Sequence, residues 1–305
     1  MKKAWSKYLL NQHKDNAYTW FWTKLLMVVY WLVSNGLIWF EEPMINYPKG
    51  ICLFIPCESV NMPLIRFSLV LFALIGVFFY LMEKKMILAL LILSFSSILT
   101  FSLRYSNGVG NINNFSSMIF VAQLLAYSYH SFHHSSQKLF KTRIQFVVQI
   151  ICAYYFLAAL SKLSHGGLGW FTEYQGFAIQ VKKSQLMGYY SSGEKSFLNH
   201  ANLFYNLIID HPIITKLVLL VSHLMEFFIF ILLFSDRGKV VYGWLLIFMH
   251  WGIYLIMDIN YSPVHLYLFF VNIPLILSYL HCYMFDKFNI KKITVNEKKG
   301  LFLTD

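Results

Sequence analysis

Eight apolar stretches, each about 20 residues long and carrying few charges, constrain the fold of this chain more than any other feature. They lie at about 20–40, 64–82, 87–104, 114–130, 144–163, 213–234, 240–257 and 264–283. A helix of about 20 residues spans the hydrocarbon layer of a bilayer, which is about 30 Å thick. Charged residues make up only 13% of the chain, about half the share typical of a soluble domain. The sequence therefore predicts an all-α, polytopic membrane helix bundle of about eight transmembrane helices.

The predicted bundle is a single unit that covers residues 1–283, followed by a basic cytoplasmic tail at 284–305. The polar start is too long for the first region of a signal peptide, and no small-residue cleavage site follows the first apolar run, so we expect a retained helix. Two predicted outer segments exceed simple turns, the loop at 41–63 and the segment at 164–212. The second is hydrophilic but rich in aromatic residues, which favours interfacial or re-entrant helices that form an outer lid.

The net charge of +11 has two interpretations, a nucleic-acid partner or the excess of Lys and Arg that membrane proteins carry on their cytoplasmic side. With the N-terminus inside, 17 of the 25 basic residues fall in predicted cytoplasmic segments. This distribution predicts a multi-pass membrane protein with both termini in the cytoplasm. The bilayer is then the partner that explains the charge, and no nucleic acid is expected.

The four cysteines are too few for a disulfide scaffold, and no CxxC pair occurs. Cys52 and Cys57 share the outer loop. They form a local disulfide if that side is oxidising, or they are two unpaired thiols, and the sequence leaves both alternatives open.

A charge inside an apolar run requires a partner, a water-filled cavity or an exit to the interface, because hydrocarbon solvates it poorly. Lys162 lies one residue from the outer end of the fifth run, and the stripe behind it contains Tyr155 and small residues. The amine either borders a cavity or extends to the interface along its own alkyl chain. In the sixth run, His223 and Glu226 are three residues apart and share one helix face, which we expect to point inward.

The seventh and eighth runs carry further polar residues. His250 is followed eight residues later by Asp258, and His265 lies one turn into the eighth run. These side chains can converge with Lys162, Glu226 and His223 in the outer half of the bundle. Alternatively, each one is a satisfied buried hydrogen-bonding residue that fixes the register of its helix.

His130, His133 and His134 have the HxxHH spacing of a histidine box in membrane di-iron enzymes. Such a centre needs several boxes, and the other histidines supply no second one, so we expect a polar loop and no metal site. Gly-rich phosphate loops, GxSxG and HExxH are absent from the sequence as well.

Two stretches carry a resemblance to a known family. They are YYFLAALSKLSHGGLGWFTEYQGFAI and HLMEFFIFILLFSDRGKVVYGWLLIFMHWGIYLIMDINYSP, and the pair Asn113-Asn114 adds to them. Together they resemble the vitamin K-dependent gamma-glutamyl carboxylases of the horizontally transferred transmembrane (HTTM) superfamily. Among short members, the chain is similar to membrane proteins of sporulation-delaying-protein B type, which mature secreted antimicrobial peptides.

The resemblance implies roles for individual residues. Lys162 becomes the base toward a reduced quinone, and Glu226, His223 and His250 become assisting catalytic groups. Six residues are implied to bind the cofactor: Asn113, Asn114, Tyr155, Trp170, Asp258 and His265. Phe115 stands where the carboxylases have a histidine, and their large extramembrane portion has no counterpart here. The resemblance therefore implies the bundle and its lysine-lined outer cavity more than the carboxylation of glutamate.

Three hypotheses about function follow. The first is maturation or modification of a secreted antimicrobial peptide by an outward-facing polar cavity with a lysine base, assisted by a membrane or soluble co-factor protein. The second is a non-enzymatic export or immunity partner that binds such a peptide through the segment at 164–212. The third is a quinone-linked redox membrane subunit in which Cys52 and Cys57 exchange electrons.

Overall fold

The computed structural model describes residues 17–36, 50–54, 62–106, 115–133, 139–257 and 263–287, and all regular structure within these ranges is helical. Eleven α-helices of the described residues are numbered here in chain order. They are α1 (Ala17–Gly36), α2 (Pro63–Leu81), α3 (Met86–Ser106), α4 (Phe115–His133), α5 (Leu139–Gly166), α6 (Tyr174–Ser192), α7 (Lys195–Asp210), α8 (Pro212–Phe227), α9 (Asp236–Met257), α10 (Val264–Phe269) and α11 (Ile273–Lys287). Short 3-10 helices lie at Gly50–Leu53, Gly167–Thr172 and Ile229–Phe234.

Four of the described helices are long and apolar enough to cross a membrane. These spans are Pro63–Leu81, Met86–Leu103, Lys141–Gly166 and Gly238–Met257. Helices α7 and α8 pass the same test as a pair, bent by 95° at their junction. The chain is therefore a helical membrane protein whose described residues include four candidate spans, or five if the bent pair forms one. The count of eight stays a prediction.

Apolar side chains cover the outside of these helices as well as their inside. On α2, Leu64, Phe67, Leu71 and Phe78 are all exposed. An apolar surface on helix after helix would drive a water-soluble protein to aggregate, whereas in lipid it costs nothing. The surface therefore fits a bilayer environment, as the composition predicts.

The core lies where α1 to α5 meet α9 and α10. Its largest fully buried side chains include Met27, Tyr80, Leu93, Phe120 and Ile151. Close approach of the backbones depends locally on small residues. At Gly76 of α2, a Cβ atom would come within 2.6 Å of the side chain of Ile92 on α3, so only glycine fits there.

Two of the predicted runs are interrupted in the structure. Helix α8 ends at Phe227 and continues as the 3-10 helix Ile229–Phe234. The run at 264–283 is divided into α10 and α11 near Asn272, whose φ is 57°. The first break leaves backbone carbonyls without helical partners, and the Tyr242 hydroxyl donates to the Met225 carbonyl at 2.5 Å. Such side-chain donors permit a break in an apolar segment.

The predicted lid segment is a helical hairpin of α6 and α7. Gly193 ends α6 with a left-handed φ of 75°, a conformation that glycine adopts readily. Ala178, Val181 and Ile208 form the apolar centre of the hairpin. The Gln185 amide donates to the Ile256 carbonyl at 3.0 Å and so attaches α6 to α9. Whether this hairpin covers the mouth of the bundle stays a prediction.

Candidate functional site

Lys162, in the penultimate turn of α5, forms an ion pair with Glu226 of α8. The distance from the lysine Nζ to the carboxylate Oε2 is 2.5 Å. The Lys162 side chain is 31% exposed and that of Glu226 is 9% exposed. The carboxylate is thus almost removed from solvent, while the amine that neutralises it stays within reach of other molecules.

The two faces of α8 differ in polarity, and this difference directs Glu226 into the protein. His223 and Glu226 are three residues apart and both are buried, whereas Val221 and Leu224 are exposed. Residues three or four apart on a helix lie on one face, so the polar pair faces the protein and the aliphatic residues face outward. The helix ends one residue after Glu226, at Phe227.

Trp170 and His223 lie beside the ion pair. The indole of Trp170, in the 3-10 helix that follows α5, has its centroid 5.2 Å from the Lys162 Nζ. The same ring is 5.7 Å from the His223 ring, centroid to centroid, and Phe227 lies 6.4 Å from His223 on a nearly parallel plane. His223 is 6% exposed, and its Nδ1 has no hydrogen-bond partner in the part of the chain that the structure describes.

A second polar cluster lies two turns earlier on α5. The Tyr155 hydroxyl is 2.5 Å from Nε2 of His250 on α9 and 3.1 Å from Nε2 of His265 on α10. All three side chains are buried. A hydroxyl carries a single proton, so Tyr155 can donate to only one of the two imidazoles at a time. The cluster therefore has two possible proton arrangements.

Phe115, the first residue of α4, closes the second cluster. Its ring stacks on His265 with centroids 3.8 Å apart and an angle of 10° between the planes. It also contacts Tyr155, with ring centroids 6.0 Å apart. Phe115 thus lies directly against the His265 ring and provides an apolar wall for the second cluster.

Helix α5 connects the two clusters, because Tyr155 and Lys162 are seven residues apart, which is about two turns of helix. Lys162 interacts electrostatically with both His223 and His250, and Glu226 interacts with Tyr155. The arrangement offers an accessible amine, a buried carboxylate and two imidazoles within one electrostatic environment. Groups of this kind can accept, store and return a proton.

The structure thus brings together seven of the residues singled out in the sequence, in two neighbouring clusters: Lys162, Glu226, His223 and Trp170 in one, and Tyr155, His250 and His265 in the other. Asn113, Asn114 and Asp258 lie outside the described residues, as do Cys57 and His134. Cys52 is disulfide-bonded. No group of three or more His, Cys, Asp or Glu side chains suited to a metal ion occurs within the described ranges.

The sequence offers little reason to assign two of the aromatic residues beside the clusters, Phe115 and Phe227, to the site. Phe115 is notable there only as a departure from the asparagine-asparagine-histidine pattern, and Phe227 is one of 29 phenylalanines. An aromatic residue in an apolar run has the same hydropathy whether it faces lipid or a polar cluster. Only its contacts distinguish the two cases.

Comparisons of the chain with protein-family models, with curated proteins and with solved structures give no match. The likeness to the HTTM superfamily therefore rests on the sequence motifs alone.

Proposed function

We propose that this protein is a bacterial inner-membrane protein of the HTTM type, with both termini in the cytoplasm, that modifies or matures a secreted antimicrobial peptide with Lys162 as base. The observation that carries the proposal is the Lys162–Glu226 ion pair, in which the carboxylate is buried and the amine is accessible. An amine that only extended to the interface would need no buried carboxylate beside it.

Glu226 provides the means by which Lys162 acts as a base. Its carboxylate Oε2 lies 2.5 Å from the Lys162 Nζ, so the ammonium can pass a proton to the carboxylate directly across one hydrogen bond. The neutral amine then takes a proton from an acidic group of the bound substrate and becomes an ammonium again. Glu226 returns to the carboxylate when it releases its stored proton.

The residues around Lys162 fit the reduced quinone that the resemblance implies. Trp170 lies beside the amine, His223 packs next to Trp170, and Phe227 packs next to His223. Planar rings of this kind bind aromatic ligands. A reduced quinone would supply an acidic hydroxyl and two reducing electrons. The buried His223 Nδ1 would hold a polar group of the ligand in register with Lys162.

Two observations support the proposed orientation. The basic residues are concentrated in segments on one side of the predicted topology. Cys52, in the loop predicted to be outside, is disulfide-bonded, and disulfides persist in oxidising compartments. Both features are expected of an inner-membrane protein whose site opens outward.

The test is mass spectrometry of a secreted peptide encoded beside this protein, in cells with the full chain, without it, and with Lys162→Ala or Lys162→Arg. We expect the mature peptide only with the unaltered chain, because arginine keeps the charge but does not release its proton. Lys183→Ala, an exposed lysine on α6, is the matched control. Full maturation by both Lys162 variants, with none in the deletion strain, would instead identify a non-enzymatic partner of the peptide.

The disulfide of Cys52 favours a second candidate, the quinone-linked redox subunit. In that case Cys52→Ser and Cys57→Ser abolish activity and Lys162→Ala leaves it intact. Under the proposed function, the two serine variants reduce the amount of protein at most, and activity per molecule is unchanged.

A further inference from the structure

Gly166, the last residue of α5, has an unusually close neighbour in Trp170. A Cβ atom at position 166 would lie 2.6 Å from Cδ1, 3.0 Å from Cβ and 3.1 Å from Cγ of Trp170. The first distance is shorter than real Cβ contacts and the other two are unusually tight, so we expect a larger residue at this position to displace the tryptophan. Gly167 follows with a left-handed φ of 64°, which glycine adopts without strain.

The two-glycine turn brings the chain back over the residue it has just passed. Trp170 is four residues beyond Gly166, and its ring centroid lies 5.2 Å from the Nζ of Lys162. The same ring contacts His223 at 5.7 Å. The indole thus lies beside both the amine of the ion pair and the buried imidazole.

We propose that Trp170 is a positioning residue that lies against one side of the partly exposed Lys162 amine and keeps it paired with Glu226, and that Gly166 determines where the indole lies. An ammonium beside an indole face gains electrostatic stabilisation from the ring. The Lys162 side chain is 31% exposed, so the indole limits access to the amine from one side and leaves the rest open. Displacement of the indole by a ligand then frees the amine further, and in this respect the inference rests on the proposed function.

Acetylation of lysines in the purified full-length chain tests this without any assay of activity. The protein in lipid nanodiscs is treated with a water-soluble N-hydroxysuccinimide ester of acetic acid, and peptide mass spectrometry follows modification of Lys162. The rate at Lys183, an exposed lysine in the same part of the chain, is the internal reference. The measured quantity is the ratio of the two rates.

We expect Trp170→Ala to raise the Lys162-to-Lys183 ratio roughly two- to fivefold, the factor that corresponds to loss of one partly exposed cation–π contact. Gly166→Ala should raise the ratio similarly, because it moves the indole. Trp170→Phe keeps a smaller ring and should give an intermediate ratio. Gly169→Ala is the matched control, since a Cβ there meets only the Thr172 hydroxyl, at 3.5 Å.

A double variant separates positioning from a general loosening of the fold. If Gly166 acts through the indole, Gly166→Ala adds nothing in a Trp170→Ala background. An unchanged ratio in Trp170→Ala, or an equal effect of Gly166→Ala with and without the indole, overturns the inference. A raised ratio combined with normal peptide maturation by Lys162→Ala contradicts the proposed function and leaves the positioning role intact.

Discussion

Two lysine–glutamate pairs in this protein have the same chemistry and opposite burial. Lys24 of α1 is 3% exposed and lies 2.6 Å from Glu83, which is 39% exposed. In the Lys162–Glu226 pair the lysine is 31% exposed and the carboxylate 9% exposed. The first pair buries its amine and the second its carboxylate, so only the second offers an amine to another molecule.

The partners of the two amines differ as well. The Lys24 Nζ also donates to the Leu81 carbonyl at 2.9 Å, one of the carbonyls left open at the end of α2. Glu83 lies in the turn between α2 and α3 with a φ of 56°. Lys24 therefore connects α1 to this turn through two hydrogen bonds. Within the described residues, the Lys162 amine donates to the Glu226 carboxylate and not to a backbone carbonyl, and it lies over the Trp170 ring. We conclude that the first pair is structural and that the second is suited to chemistry.

The largest expected difference between the pairs is in peptide maturation. Lys162→Met should lower the amount of mature peptide per molecule of protein by about 100-fold or more, the usual contribution of a general base. Lys24→Met should leave maturation per molecule unchanged. Mass spectrometry of the peptide, normalised to membrane protein by immunoblot, measures both. Equal losses in the two variants at equal abundance would show that the comparison is wrong.

The second-largest expected effect is on the free energy of unfolding. Here loss of the Lys24 amine should have the larger effect and loss of the Lys162 amine the smaller. Lys24→Met removes a charged hydrogen bond from a partly buried carbonyl, and we expect it to lower the free energy of unfolding by about 2–3 kcal/mol. Lys162→Met combined with Glu226→Gln leaves no unpaired carboxylate and should cost less, because the Lys162 amine is partly exposed and donates to no backbone carbonyl among the described residues. Thermal unfolding of each purified variant in the same detergent gives the comparison. A larger destabilisation by this double variant than by Lys24→Met would assign the structural role to the second pair.

Tyr155→Phe separates the two clusters on α5. Loss of the hydroxyl leaves two buried imidazoles without their shared partner, so we expect about 1–2 kcal/mol of destabilisation. The Lys162–Glu226 contact does not involve this hydroxyl, so acetylation of Lys162 should proceed at the unaltered rate. Unfolding curves and the acetylation assay measure the two quantities on one sample. A large change in Lys162 acetylation would mean that the clusters form one structural unit.

The smallest effect is expected for Glu83→Gln. This carboxylate is more than a third exposed, and exposed ion pairs contribute about 1 kcal/mol or less. Glutamine keeps an oxygen acceptor for the Lys24 amine, so the unfolding midpoint should fall only slightly and less than in Lys24→Met. If the two variants were equally unstable, the ion pair and not the Leu81 carbonyl would be what holds Lys24.

The sequence singles out the charged residues of the candidate site one by one, because a charge in an apolar run is unusual. Lys162 and Glu226 are identifiable in this way, but they are 64 residues apart, and nothing local connects them. Trp170 reaches Lys162 only because Gly166 leaves room for the indole. Lys24 is as conspicuous in the sequence as Lys162, and its structural role depends on the Leu81 carbonyl of another helix.

The positions of the helix breaks are a second feature that the local sequence does not predict. The residues around Phe228 and Phe270 are as apolar as those before and after them, so hydropathy gives no sign of an interruption. The break after α8 is tolerated because a hydroxyl from α9 satisfies a backbone carbonyl. The hydropathy of one segment contains no information about a hydrogen-bond donor that another helix supplies.

The sequence by itself determined three properties: the lipid environment, the all-helical class and the identity of the residues that are costly to bury. Each of these follows from transfer free energies, which depend on the residue and its near neighbours and add along the chain. Only the tertiary structure decided which lysine is buried and which is accessible, because that depends on the backbone atoms and side chains that packing brings from other helices. The two pairs consist of the same residue types. Their surroundings give the Lys24–Glu83 pair a structural role and make the Lys162–Glu226 pair a candidate site.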